Sequence, residues 1–161
     1  MSFNSFERHI VQYPTSYSLC AGCGTCEAVC GLTHDGVTSP SIKRIFLIRD
    51  TTMTEDMHTV LTCQQCSDRP CYTACPLQDS AMKIDEVTGV VYVASELCTG
   101  CRLCFEACPF EVKRIAFNLD DPPKALKCDM CRERSDGPAC VEFCQVRSLG
   151  LSDAPVPWEG V

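Results

Sequence analysis

Cys98-Thr-Gly-Cys101-Arg-Leu-Cys104-Phe-Glu-Ala-Cys108-Pro109 carries four cysteines at gaps of two, two and three residues, closed by a proline. Three cysteines two residues apart wrap a tight loop with three sulfurs facing a common centre. The fourth stands three residues away from that loop and points elsewhere. This spacing predicts the fourth cysteine near the start of a helix, with proline in its first turn, where the missing N–H is not needed. Outward from this run, the pattern recurs three times. Cys20, Cys23, Cys26 and Cys30 repeat gaps of two, two and three; Cys63, Cys66, Cys71 and Cys75 have two, four and three, followed by Pro76; Cys128, Cys131, Cys140 and Cys144 have two, eight and three. These runs use all 16 cysteines of the 161 residues.

The rest of the composition is lean. Hydrophobic residues make up 45% of the chain, but that figure includes the cysteines; without them the share is about 35%, below that of ordinary globular domains. Something bound to the cysteines is therefore expected to supply part of the stability. No stretch approaches the roughly 18 apolar residues of a membrane span. The opening Met1-Ser-Phe-Asn-Ser-Phe-Glu-Arg-His9 lacks a basic, then apolar leader, so a cytoplasmic setting is expected, where disulfides seldom persist. Acids outnumber bases 21 to 14, giving a net charge of −7. Such a surface repels nucleic acid and anionic lipid and suits a partner with a basic docking face.

A cubane cluster needs one thiolate on each of four irons, which three close cysteines plus one remote cysteine provide. Structural zinc sites instead use two C-x2-C knuckles separated by a longer span, and the histidines (His9, His34, His58) lie outside the knuckles. A disulfide scaffold would need export. Iron–sulfur clusters are the reading, with a zinc-binding interaction module as the remaining alternative.

The segments between runs decide their pairing. Ala81-Met-Lys-Ile-Asp-Glu-Val-Thr-Gly-Val-Val-Tyr-Val93 reads as a hairpin, with a strand to Asp85, a turn at Gly89 and a strand from Val90 to Val93. A hairpin between two runs is the bacterial ferredoxin plan, so runs two and three form one two-cluster module. Runs one and four, by elimination, form another around it. The expected ligand sets exchange the fourth cysteines: Cys63, Cys66, Cys71 with Cys108; Cys98, Cys101, Cys104 with Cys75; Cys20, Cys23, Cys26 with Cys144; and Cys128, Cys131, Cys140 with Cys30. Ser41-Ile-Lys-Arg-Ile-Phe-Leu-Ile48 and Glu111-Val-Lys-Arg-Ile-Ala-Phe-Asn118 share a Lys-Arg-Ile core, each between two runs. That repeat argues for duplication of a two-run unit with pseudo-twofold symmetry.

The expected fold class is thus α+β: two nested ferredoxin-like modules of short hairpins and short helices. Residues 1–18 form an N-terminal arm, 19–62 and 109–148 the outer module, 63–108 the inner module, and 149–161 a proline-rich tail. Residues 50–57 and the extra residues of run four are insertions suited to partner contact.

Four cysteine runs in this order, with proline after the two inner ones, resemble the four-cluster electron-transfer subunits of molybdenum and tungsten oxidoreductases. Relatives serve dimethyl sulfoxide and polysulfide reductases, formate dehydrogenases and aldehyde oxidoreductases, and some work with hydrogenases or carbon monoxide dehydrogenase. The resemblance covers residues 19–146. With every cysteine of the third run present, it implies four [4Fe–4S] clusters and no catalytic residue on this chain. It also implies a large catalytic subunit carrying molybdenum or tungsten, and a flavin or other redox subunit as second partner. The small size and the opening Cys20-Ala-Gly-Cys-Gly-Thr-Cys26 look most like small subunits of tungsten aldehyde oxidoreductase or benzoyl-CoA reductase systems. Clusters near both ends would also permit copies to stack into a longer wire.

Arg69, Arg102, Arg132, Arg134 and Lys127 stand in or beside the runs as candidate potential-tuning cations, because a nearby cation favours the more negative reduced state. Gly22, Gly24 and Gly100 are expected to let backbone N–H groups approach sulfur. Ile45, Phe46, Ile48, Ile115 and Phe117 are expected to shield clusters from water. His34 reads as a satisfied surface histidine. Trp158, the only tryptophan, is a candidate docking anchor in the tail.

Overall fold

Four separate two-stranded antiparallel hairpins and four helices, three of them only four residues long, make up the computed structural model, which describes residues 9–13, 20–49 and 58–153. The strands are β1 (His9–Gln12), β2 (Phe46–Arg49), β3 (His58–Leu61), β4 (Met82–Ile84), β5 (Val91–Val93), β6 (Ile115–Phe117), β7 (Ala125–Lys127) and β8 (Leu149–Ser152). The helices are α1 (Thr25–Asp35), α2 (Pro70–Thr73), α3 (Leu103–Glu106) and α4 (Ala139–Glu142). Among the described residues no helix is long and apolar enough to cross a membrane.

Each Lys-Arg-Ile segment feeds a hairpin. β2 pairs with β3, with Phe46 opposite Leu61, and β6 pairs with β7, with Ile115 opposite Lys127. Between runs two and three, β4 pairs with β5, with Met82 opposite Val93, as the alternating pattern predicts. Asp85 closes that turn by accepting hydrogen bonds from the Val87 and Thr88 amides and the Thr88 hydroxyl. Such side-chain capping of a turn is what favours Asp there.

The fourth hairpin differs from the expectation of an arm and a tail. His9–Gln12 and Leu149–Ser152 pair with each other, His9 opposite Ser152, so the two ends of the described chain are tied together. The prolines at 155 and 157 that argued against a strand come after β8. They and Trp158 lie outside the described residues, as do residues 50–57.

The helices also begin earlier than the spacing implied. Each starts just before the third cysteine of its run, and the fourth cysteine follows the helix at Cys75, Cys108 and Cys144, or lies within the longer α1 at Cys30. Pro76 and Pro109 therefore come after a helix, where they stop it, and Pro70 occupies the first helical turn of α2. Cysteines four apart then sit one helical turn from each other.

Packing follows the cysteine runs. α1 lies against α4, α2 against α3, and β5 against β7. One core joins Ile10, Ile45, Leu47, Val60, Met130 and Leu149 to Cys26, Cys30, Cys63, Cys128 and Cys140. A second joins Met82, Val91, Ile115 and Ala125 to Cys104, with Cys71, Cys75, Cys98, Phe105 and Phe117 against it. Of the expected shielding residues, Ile45 and Ile115 are buried and Phe46 and Phe117 half-buried. Ile48 is 41% exposed, because it follows Leu47 on a strand with only one covered face.

Candidate metal centres

All sixteen cysteines are free thiols, and only Cys23 and Cys101 are exposed. Two cavities are lined by four cysteines each. One is walled by Cys63, Cys66, Cys71 and Cys108 with Pro109, and the other by Cys75, Cys98, Cys101 and Cys104 with Pro76. α2 sends Cys71 toward the first and, one turn later, Cys75 toward the second; α3 does the converse with Cys104 and Cys108. Each cavity therefore draws three cysteines from one run and one from the other.

Runs one and four meet through α1 and α4. Cys30, Cys131 and Cys26 are the thiol neighbours that act on Cys140. Cys20 and Cys23 act on Cys26, and Cys144 acts on Cys23. Burial foremost, with neighbouring thiols and, at Cys26, the Glu27 carboxylate adding to it, pushes the Cys26 and Cys104 thiols up to about 12 and Cys66 up to about 11. Such sulfurs resist ionisation in the bare chain. Cations at the centre of each group are what make four close thiolates tolerable.

The backbone is shaped to address those sulfurs. In every run the residue two places after the first cysteine has left-handed φ: Gly22 at +63°, Gln65 at +45°, Gly100 at +71° and Met130 at +60°. At Gly22 and Gln65 this turns the amide onto the first cysteine, with N–H donated to Cys20 Sγ and Cys63 Sγ at 3.5 Å. The Lys-Arg-Ile repeat has a matching use. The Arg44 amide donates to Cys30 Sγ and the Arg114 amide to Cys108 Sγ, both at 3.4 Å. The Ala125 amide donates to Cys98 Sγ at 3.5 Å. Sets of four thiols with N–H donors and apolar walls fit iron–sulfur clusters, whose potentials respond to hydrogen bonds at sulfur and to burial.

The candidate tuning cations separate into distinct roles. Arg132 pairs with Asp85 at 3.5 Å and Glu133 at 2.7 Å and stacks on Tyr92, 3.8 Å from the ring centroid. Arg134 pairs with Glu142. Both are neutralised locally, contrary to a tuning role, by Glu133 and Glu142 of run four itself and by Asp85 of the β4–β5 turn. Arg102 is exposed and lies over Phe117. Arg69 is half-buried at the left-handed residue before α2 and lines the Cys63 cavity. Lys127 is 3% exposed; its ammonium donates to the Val91 carbonyl at 2.7 Å and the Cys128 carbonyl at 3.2 Å. Burial disfavours its charge, but the Cys63, Cys71 and Cys128 thiols outweigh this and hold its pKa above the ordinary lysine value.

His34 is satisfied, though half-buried rather than on the surface. Its Nε2 lies 2.8 Å from Asp129 Oδ1 and its Nδ1 3.0 Å from the Cys30 carbonyl. Burial works against the imidazolium, yet Asp129 and the Cys131 and Cys30 contacts push the pKa up to about 12. Asp35, its sequence neighbour, pairs instead with Arg44. Two other residues escaped the sequence reading. Gln65 donates to the Cys128 carbonyl at 2.8 Å and the Val91 carbonyl at 3.3 Å, and accepts from the Val91 amide at 2.9 Å. Glu27 accepts from Lys43 at 2.5 Å and the Leu47 amide at 2.9 Å, fixing α1 to β2. The repeated Lys-Arg-Ile was the signal for the amide donors; nothing in the sequence marked Gln65.

Short hairpins and helices holding cysteine sets of this kind define an iron–sulfur electron-transfer protein. Residues 55–154 match the family described as a 4Fe-4S dicluster domain, and the chain belongs to that family. It is 36% identical over 141 residues to the putative electron transport protein YsaA of Escherichia coli K12, covering 83% of this chain and 84% of that one. It is 38% identical to the polyferredoxin-like subunit of the aliphatic sulfonate oxidoreductase of Pyrococcus furiosus, over 78% of this chain and 66% of the relative. Electron transport protein HydN of E. coli K12 is 32% identical over 82% of both chains, and formate hydrogenlyase subunit 2 of the same strain is 31% identical over 84% of this chain.

Proposed function

We propose that this chain is a non-catalytic electron relay that holds four [4Fe–4S] clusters in two nested, pseudo-symmetric modules and passes electrons between an oxidoreductase catalytic subunit and a second redox partner. The observation that carries this reading is the pair of cavities, each walled by four cysteines drawn from two different runs. When bound, such clusters accept and release single electrons. The chain's own contribution is spacing, N–H donors at sulfur and exclusion of water.

An order of sets follows from burial. The Cys20 and Cys98 sets each contain an exposed cysteine, Cys23 and Cys101. Cys63 is the thiol that acts most on Cys128, Gln65 of run two donates to the Cys128 carbonyl, and Lys127, beside Cys128, lines the Cys63 cavity. The Cys128 and Cys63 sets are thus the middle of the path, and the other two are its ends, where partners dock.

For the catalytic partner, the resemblance to molybdenum and tungsten enzyme subunits supports a Mo/W subunit of the aldehyde oxidoreductase kind, and the sulfonate oxidoreductase relative is itself an oxidoreductase subunit. A hydrogenase or formate dehydrogenase partner is the second reading, favoured by similarity to formate hydrogenlyase subunit 2.

Anaerobically purified protein should contain about sixteen irons per chain and give cluster resonances in electron paramagnetic resonance after reduction. Zinc in place of iron would refute the reading. Gentle co-purification followed by metal analysis and substrate assay of the large subunit separates the partners: nickel supports a hydrogenase, while with tungsten or molybdenum, oxidation of aldehyde supports the first reading and oxidation of formate the second.

A further inference from the structure

Lys127 is a buried cation without a carboxylate partner. The ion pairs among the described residues join His34, Lys43, Arg44, Arg132 and Arg134 to acids, and none includes Lys127. An ammonium withdrawn from water and held by two carbonyls and the Cys63 sulfur is costly unless negative charge lies close by. The groups placed to supply it are sulfurs. Lys127 lines the cavity of Cys63, Cys66, Cys71 and Cys108, and it immediately precedes Cys128. The corresponding residue before Cys63 is Thr62, whose hydroxyl donates to the Ile10 carbonyl at 3.0 Å. The cation is therefore present at only one of the two equivalent positions, before Cys128 in run four and not before Cys63 in run two.

We propose that Lys127 is a positioning residue for charge: its ammonium stabilises an added electron at the Cys63 set and at the Cys128 set, making the middle of the relay easier to reduce than its ends. The proposal rests on the relay reading above. Lys127 takes no part in the transfer itself. One electron arrives from a reductant, the charge at one set of sulfurs becomes more negative by one, and the ammonium keeps its proton. At short range in a dry interior a fixed positive charge acts strongly, and the thiols that act most on Lys127 are Cys63, Cys71 and Cys128, none of them in the Cys20 or Cys98 set.

The test is a redox titration of the iron-loaded protein, followed by electron paramagnetic resonance, on wild type, Lys127→Gln and Lys127→Arg. Glutamine can still donate to the Val91 and Cys128 carbonyls but carries no charge. In Lys127→Gln, two of the four clusters should become at least about tenfold harder to reduce, about 59 mV for one electron, while the other two stay in place. Lys127→Arg should restore both. Unmoved potentials in iron-replete Lys127→Gln overturn the proposal, as does a uniform shift of all four or an equal shift in Lys127→Arg. If Lys127→Gln cannot hold its iron, retention by Lys127→Arg supports the charge role and loss from both variants overturns it in favour of packing. Wild-type protein lacking four clusters would instead defeat the relay reading, so the two failures are told apart before any variant is compared.

Discussion

A β-carbon at position 100 would collide with the Pro123 carbonyl, and the backbone there already sits at φ +71°. Gly100→Ala should lower stability by about 1–3 kcal/mol and reduce the iron retained at the Cys98 set; an unchanged denaturation midpoint and iron content would contradict this. The same left-handed turn at Gln65 and Met130 uses residues that carry no such mark. This explains why the sequence revealed half of these turns and hid the rest. Glycine advertises a positive φ, whereas Gln65 accepts the strained conformation while its amide holds Val91 and Cys128. The grouping of the cysteines into four runs was legible, because residue type and spacing are local properties. The burial of Lys127 was not, since it depends on how β5 meets β7 across the chain.

At the scale of elements, α1 stands out, with 11 residues against four in each of the others. Its length lets one helix carry Cys26 and Cys30 and then reach Asp129 with His34. His34→Ala should remove that tie and loosen the contact between α1 and run four, costing about 2–3 kcal/mol. Hydrogen exchange should show the loss in α1 and α4 while β4 and β5 keep their protection; equal loosening of both regions would argue against a local link. The hairpin around Gly89 was legible from alternation and turn chemistry, whereas the Lys-Arg-Ile repeats showed a duplicated segment but not the strands β3 and β7 that pair with it. The helix starts were misplaced because four-residue helices carry too little periodicity to fix their ends, and β8 was missed because its partner is at the other end of the chain.

For the whole molecule, the lean apolar core and the burial of eight cysteines imply that metal binding and folding are one event. Anaerobic treatment with an iron chelator should abolish the cooperative unfolding transition and most amide protection; an apoprotein that keeps native protection would refute this. The net charge of −7 bears on association. Binding to a basic face on a partner should weaken several-fold between about 0.05 M and 0.2 M salt, as measured by titration calorimetry on the reconstituted complex, and salt-independent affinity would point to an apolar interface instead.

The pairing of His9–Gln12 with Leu149–Ser152 also sets a timetable for biosynthesis. On the ribosome β1 must wait for β8, so the pairing that ties them cannot form until run four has been synthesised. Runs two and three, by contrast, are both available long before that point. Maturation therefore proceeds outward from runs two and three, and a chain stalled short of β8 is left with β1 unpaired.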